Sequence, residues 1–449
     1  MQSRRVAVVC AGLCALLISA GCGGGGESPA KKGADGSVGA ERTETGKSAA
    51  VDTTPVTLTL FPSVGIEDKD MNNLIIQPVR KKYPHITIEM IKPGKGTMIQ
   101  DLVTAGQPPD LLYTWNGGLP TFQAFDLLYD IAPLTQKAGI DLSRFEPVVL
   151  DAIKVLSAKG ELYALPFAVN FNALYYNKDI FDKFGVAYPK DGLTWEDTLE
   201  LAKKLSRSDG GVQYRGLDPE AVSRLSKPFG LTYVDYKSEK AAINKEEWKR
   251  VYELARSIYA IPGNQPASFL NANAKPAFLK DKNLAMLATI NLFNLALEEA
   301  TKEGLNWDVA QYPSNKDKPN VYGHVDANVI AITKTSKYKE AAMQVLEVVT
   351  SDEVQLLSAK TTARLSSLKN PEMKKQLGAD LPFLKGKRLE SIFKSAPVPA
   401  PAYSQFEDST TNQIVLKSFE DYFNGKDLNS SLREAEEKMN KHIGESKTK

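Results

Sequence analysis

Thiols and imidazoles are the side chains best suited to nucleophilic or metal chemistry, and their placement in this chain leaves little room for either. The 3 cysteines among 449 residues are Cys10, Cys14 and Cys22, so no thiol follows position 22. The 3 histidines, His85, His324 and His442, each stand alone in the sequence, whereas a zinc or iron site draws on several such ligands. No Gly-x-x-x-x-Gly-Lys-Ser/Thr or Gly-x-Gly-x-x-Gly stands at a strand-to-helix junction, and there is no Gly-x-Ser-x-Gly elbow with a histidine to activate its serine. Catalytic residues, a metal and a cofactor are therefore not expected. What remains is reversible binding. A sugar offers a ring face of C–H groups and an edge of hydroxyls, which aromatic side chains and planar amides or carboxylates match. Trp115-Asn116 is such a pairing, and Glu67 is a carboxylate able to accept from hydroxyls.

These residues need elements to hold them. Val56-Thr57-Leu58-Thr59-Leu60 alternates as a strand does, and Ile86 to Ile91 forms a second strand. Between them Leu74, Ile75 and Val79 fall at helical spacing over 72–82, ended by Tyr83-Pro84. A short helix over 97–105 breaks at Gly106-Gln107-Pro108-Pro109, and Asp110 to Trp115 is a buried strand. This order predicts parallel β-α-β units with helices on both sheet faces. Ligands of such sheets bind beyond the carboxyl ends of the strands. The loops 61–68 and 115–119, which carry Glu67 and Trp115-Asn116, occupy those ends. Thr194 with Asp197 predicts a capping-box variant opening a helix through Leu205. Further strands are expected near 284–288, 307–311 and 328–332, and helices at the end of the chain. Trp195, Trp248 and Trp307 fit packing positions.

The first 22 residues form a unit of another kind. Arg4 and Arg5 precede an apolar run of 13 residues from Val6 to Ile18, followed by Ser19-Ala20-Gly21-Cys22. That run is shorter than the roughly 20 residues a membrane span needs and has the form of a signal peptide. Ser19 to Cys22 resembles a bacterial lipobox, with Ser19 where Leu is usual, which implies lipidation of Cys22 and attachment through two or more acyl chains. Residues 23–53, rich in Gly, Ser, Lys, Glu and Thr, lack core-forming side chains and are expected to be a disordered tether with a reach of about 30 Å.

From residue 54 about 400 residues remain, more than one core usually serves, so two lobes are expected. The 56 Lys and Arg, two of them in the leading segment, stand against 54 Asp and Glu, which argues against a basic face for nucleic acid. The lack of later cysteines excludes a disulfide framework and points to a Gram-positive exporter.

The segment Tyr163-Ala164-Leu165-Pro166, Tyr176-Asn177-Lys178-Asp179 and Thr194-Trp195-Glu196-Asp197 resembles the interdomain region of bacterial extracellular solute-binding proteins of the maltodextrin and oligosaccharide type. Pro109-Asp110-Leu111-Leu112, Ala285-Met286, Ser336 to Ala342, Thr350 to Gln355 and Gly425 to Leu432 follow in that family's order. The likeness covers residues 55–445. It implies a periplasmic-binding-protein-like α/β fold, with two α/β lobes joined by crossing hinge segments and the ligand cleft between them. Lobe 1 would comprise 54–168 and 325–372, and lobe 2 would comprise 169–324 and 373–449. The crossings would lie near 168–173, 322–328 and 366–371. It further implies a monomer that closes over a solute, probed by an ABC permease in the membrane, at the outer face of the cell membrane.

The same resemblance places ligand contacts. Trp115 and Asn116 occupy a contact loop. Asn170 stands where maltodextrin-binding relatives carry a carboxylate, keeping the hydrogen bonds and dropping the charge, with Asn172 beside it. Asn291 and Phe293 occupy the loop that commonly holds Gly-x-Trp. Asp326, with His324, brings polar bulk to the second crossing, and Arg364 matches a cleft-facing position, the only basic residue so placed. The expected function is capture of a carbohydrate, an oligosaccharide above all, for an ABC importer. A receptor of the same fold for a peptide or other small solute is the alternative, and a surface glycoside hydrolase or lyase would need paired carboxylates across the cleft.

Overall fold

The computed structural model describes residues 53–270, 273–293 and 296–448. The leading segment with Cys22, and the tether up to residue 52, lie outside the described residues.

The strands that position the cleft are β1 (Val56–Pro62), β2 (Ile86–Met90), β3 (Leu111–Trp115), β4 (Leu165–Val169), β5 (Asn172–Asn177), β6 (Met286–Ile290), β7 (Trp307–Ala310), β8 (Val321–His324), β9 (Ala327–Ile332) and β10 (Ala396–Val398). The first sheet has the order β2-β1-β3-β9-β4. β1 pairs in parallel with β2 and β3, as the β-α-β pattern predicts, while β9 runs antiparallel between β3 and β4. A second sheet, β6-β5-β7, is antiparallel throughout. β8 and β10 form a separate parallel pair.

Local sequence accounts for much of this. In β1 the alternating side chains Leu58 and Leu60 are fully buried while Thr57 is exposed. The expected helix over 72–82 begins earlier, at Asp68, and passes through a π turn at Asn72–Ile76 before Gln77–Lys82. Pro78 explains the irregularity, because its ring nitrogen cannot donate to the carbonyl four residues back. Thr194 caps helix Trp195–Leu205 as expected: its hydroxyl accepts from Asp197 N at 3.2 Å, and Asp197 accepts from Thr194 N at 2.9 Å.

Two hydrophobic cores result. One gathers Leu58, Leu60, Leu111, Tyr113, Phe167 and Val329 to Ile332 around the first sheet. The other gathers Tyr175, Trp195, Trp248, Tyr252, Trp307 and Phe419 around the second. The three tryptophans assigned to packing are between 0% and 2% exposed. The architecture is thus α/β and two-lobed. Among the described residues no helix is long and apolar enough to cross a membrane.

Candidate functional site

The two cores are joined where the chain passes between them, and the passages are bonded to one another. Val169 N donates to Leu365 O at 2.8 Å and Asn170 N to Asp326 O at 2.7 Å, so the first passage lies between the other two. Side chains reinforce the seam. Asn170 Nδ2 donates to Asp326 Oδ1 at 3.0 Å, Tyr322 OH donates to Asn170 O at 3.3 Å, and Asn172 Nδ2 donates to Tyr322 O at 2.8 Å. Asn170 and Asp326 are therefore brought together, and each already has a partner.

Trp115 ends β3 at the mouth of the first sheet. Its indole folds back over the following loop, where a Cβ at Gly117 would lie 2.3 Å from the ring and one at Gly118 would lie 2.6 Å from Thr114 Oγ1. Only glycines fit beneath it. The ring meets the buried Tyr403 edge-on at 5.1 Å, and Lys227 Nζ lies 5.6 Å from its centroid. Lys227 follows helix Val222–Ser226, whose Val222 and Leu225 belong to the second core. The Trp115–Lys227 contact therefore spans the cleft from one lobe to the other. Gly323 in β8 admits this approach, since a Cβ there would lie 3.4 Å from Lys227 Cβ and 3.3 Å from Asn172 Nδ2.

A charged group surrounds this point. Arg224 pairs with Glu220 at 2.5 Å and reaches Asn172 Oδ1 at 3.5 Å. Lys275 pairs with Glu220 at 2.7 Å, and the Thr289 hydroxyl also donates to it. Burial raises the Glu220 carboxyl, but Arg224 and Lys275 outweigh it and hold it down at about 2. Burial lowers the Lys227 ammonium, with Asp326 opposing. His324 is held down to about 3, chiefly by burial and then by Lys227. Its neutral ring donates from Nδ1 to Val325 O at 3.0 Å and accepts at Nε2 from Tyr403 OH at 2.7 Å. Glu407 Oε1 accepts from Tyr233 N at 2.7 Å and Val234 N at 3.2 Å, and burial pushes that carboxyl up to about 7.

Three buried polar atoms near this seam have no partner among the described residues: Asn116 Nδ2, Arg224 Nε and Tyr312 OH. Asn116 is fixed through its other side, with Oδ1 accepting from Ala327 N at 2.9 Å. Unpaired buried donors are costly and uncommon, and donors poised along an interlobe seam are what a hydroxylated solute would satisfy.

The other expected contacts lie elsewhere. Phe293 is 2% exposed and packs in the second core against Phe171, Tyr175 and Trp307 at 5.6 to 5.9 Å. Asn291 braces that loop, donating to Ala363 O at 3.1 Å and accepting from Phe293 N at 2.9 Å. Arg364 is buried and pairs with Asp70 at 2.7 Å within the first lobe. Glu67 is exposed at the start of helix Asp68–Met71 without a side-chain capping bond. Sequence reasoning did not single out Glu220, Arg224, Lys227, Tyr312 or Tyr403. Only the closeness of three charged residues, Glu220, Arg224 and Lys227, to the apolar Val222 and Leu225 offered a signal. Among the described residues no cluster of three His, Cys, Asp or Glu could hold a metal.

Two α/β lobes with bonded crossing strands and a polar, aromatic seam define a receptor that encloses a solute. The chain belongs to the bacterial extracellular solute-binding protein family, whose model matches residues 68–356. It is similar to the mannitol-binding protein of Pseudomonas aeruginosa, 28% identical over 179 residues, or 34% of this chain and 40% of that protein. It is also similar to the sn-glycerol-3-phosphate-binding periplasmic protein UgpB of Rhizobium meliloti, 28% identical over 149 residues, 30% of this chain and 34% of that one. The chain thus spans less than half the length of these two relatives. The ABC substrate-binding protein Lmo0181 from Listeria monocytogenes, solved in complex with cycloalternan, shares the fold with a TM-score of 0.69 at 21% identity, covering 87% of this chain and 99% of that one.

Proposed function

We propose that this protein captures a carbohydrate or polyol by closing its two lobes and presents it to an ABC importer. The observation that carries this reading is the seam itself: Trp115 from one lobe faces Lys227 from the other, beside the partnerless Asn116 Nδ2 and Arg224 Nε. An aromatic face next to unpaired donors suits a ring with hydroxyls. Relatives whose names record mannitol and cycloalternan support the substrate class. In this reading lobe 1 is 54–168 with 325–372 and lobe 2 is 169–324 with 373–449, and Trp115, Asn116, Asn170, Asn172 and Asp326 shape the pocket. Catalysis plays no part in it.

Solute contacting both lobes biases the open-to-closed equilibrium. Mono- and oligosaccharides and sugar alcohols screened by thermal shift should therefore raise the melting temperature, since a ligand at 100 times its dissociation constant adds about 2.7 kcal/mol. A peptide that shifts the transition where no carbohydrate does would overturn the assignment.

The proposal includes an anchor at Cys22 on the outer face of the membrane. Palmitate labelling of the full chain in cells should be lost, and protein released into the medium, in Cys22→Ala. Continued membrane retention of that variant would remove the lipid from the picture.

A further inference from the structure

The cleft contains more positive charge than a neutral solute requires. Arg364, the basic residue that family likeness places there, is instead committed to Asp70 inside the first lobe. Arg224 and Lys227 occupy the seam in its place, close enough for the positive charge of Arg224 to push the Lys227 ammonium further down. Arg224 is matched by Glu220. Lys227 is not matched: among the described residues its Nζ has no carboxylate within ion-pair distance and no hydrogen-bond acceptor, only the face of Trp115. Asp326 opposes Arg224 from a distance without bonding the ammonium, its Oδ1 accepting from Asn170, and Glu407 accepts from the amides of Tyr233 and Val234.

An ammonium has three N–H donors, and one that bonds no protein acceptor keeps all three for water or a solute. A hydroxyl would serve one donor without supplying charge. An anionic oxygen serves several and cancels the repulsion from Arg224, whose unpartnered Nε adds a further donor. Glu220, fixed by Arg224, Lys275 and Thr289, keeps that guanidinium in place and is a positioning residue.

Resting on the carbohydrate reading above, we propose that the solute is a sugar or polyol bearing one anionic group, a carboxylate or a phosphate, which Lys227 recognises beside Trp115 with Arg224 in support. The purified protein is titrated by calorimetry at pH 7.5 with matched probes: D-glucuronate and D-glucose 6-phosphate against D-glucose, and digalacturonate against galactobiose and mannitol. One anionic member should bind at least about tenfold more tightly than its neutral counterpart, and which one does so separates carboxylate from phosphate. Lys227→Met should weaken that member by about tenfold or more and erase its advantage over the neutral counterpart, while Lys227→Arg should retain the preference. If a neutral sugar binds most tightly, the charge preference is wrong and carbohydrate capture stands; this comparison uses the unaltered protein and holds even if Lys227→Met fails to fold. If no carbohydrate of either kind binds while a peptide does, carbohydrate capture itself fails and this proposal with it.

Discussion

Arg364→Ala is expected to destabilise the protein by about 3–5 kcal/mol, the usual effect of removing one partner from a buried ion pair. Arg364 is 5% exposed and Asp70 is 9% exposed, joined at 2.7 Å beside the fully buried Tyr113. The substitution leaves the Asp70 carboxylate in a low-polarity surround with no cation to offset it. Urea denaturation of the variant should show the loss as a lower midpoint. Replacing both partners by apolar residues, Asp70→Leu with Arg364→Met, should recover most of it, because the desolvated charges then disappear together. A loss below about 1 kcal/mol would mean the pair is solvated after all. Solute affinity of the folded protein should not change, which separates this arginine from Arg224.

Glu407 gives the second large effect, and its sign is opposite. Its folded pKa of about 7 lies above the ordinary 4.5 because burial favours the neutral acid. Between those values the folded chain holds a proton that the unfolded chain has released, so stability falls as pH rises through that window. The cost is absent below pH 4.5 and complete above pH 7, reaching about 3 kcal/mol. Glu407→Gln keeps an oxygen to accept from Tyr233 N and Val234 N and has no charge to desolvate. The variant should match the natural protein at pH 4 and exceed it by up to about 3 kcal/mol at pH 8, with its stability flatter between. Equal stabilities at pH 8 would show that the carboxylate is ionised at little cost.

Both effects concern residues whose surroundings the sequence discloses poorly. The β1-β2-β3 unit was legible because its strands alternate or run apolar between clear turns, and the Thr194 cap because its partner is three residues away. The direction of the second sheet was not. All six residues of β5 are buried, so no alternation marks a solvent face and nothing local tells parallel from antiparallel neighbours. Trp115, Asn170 and Asp326 could be placed because each adjoins a strand end or crossing. Arg364 could not, because helix Asp352–Thr362 ends at Ala363 with a left-handed φ of 50°, and that reversal sends the next side chain toward a residue 294 positions earlier. Phe293 follows the same logic, since its ring fills a gap between Tyr175 and Trp307 that exists only once β5, β6 and β7 have assembled. Arg224 sits on a helix of little more than one turn, Val222–Ser226, with Glu220 ahead of it at a positive φ and Lys227 just after it, too short for periodicity to announce an inward face.

The burial pattern of the tryptophans has an optical consequence. Of the 4 in the chain, Trp195, Trp248 and Trp307 are sealed in the second core, while Trp115 is half-buried at the seam under the Lys227 ammonium. Aqueous quenchers reach that indole first, and a cation held over its ring perturbs its emission directly. The molecule therefore carries its own reporter of cleft occupancy, a single environment-sensitive chromophore against a constant background of three, with no label to attach.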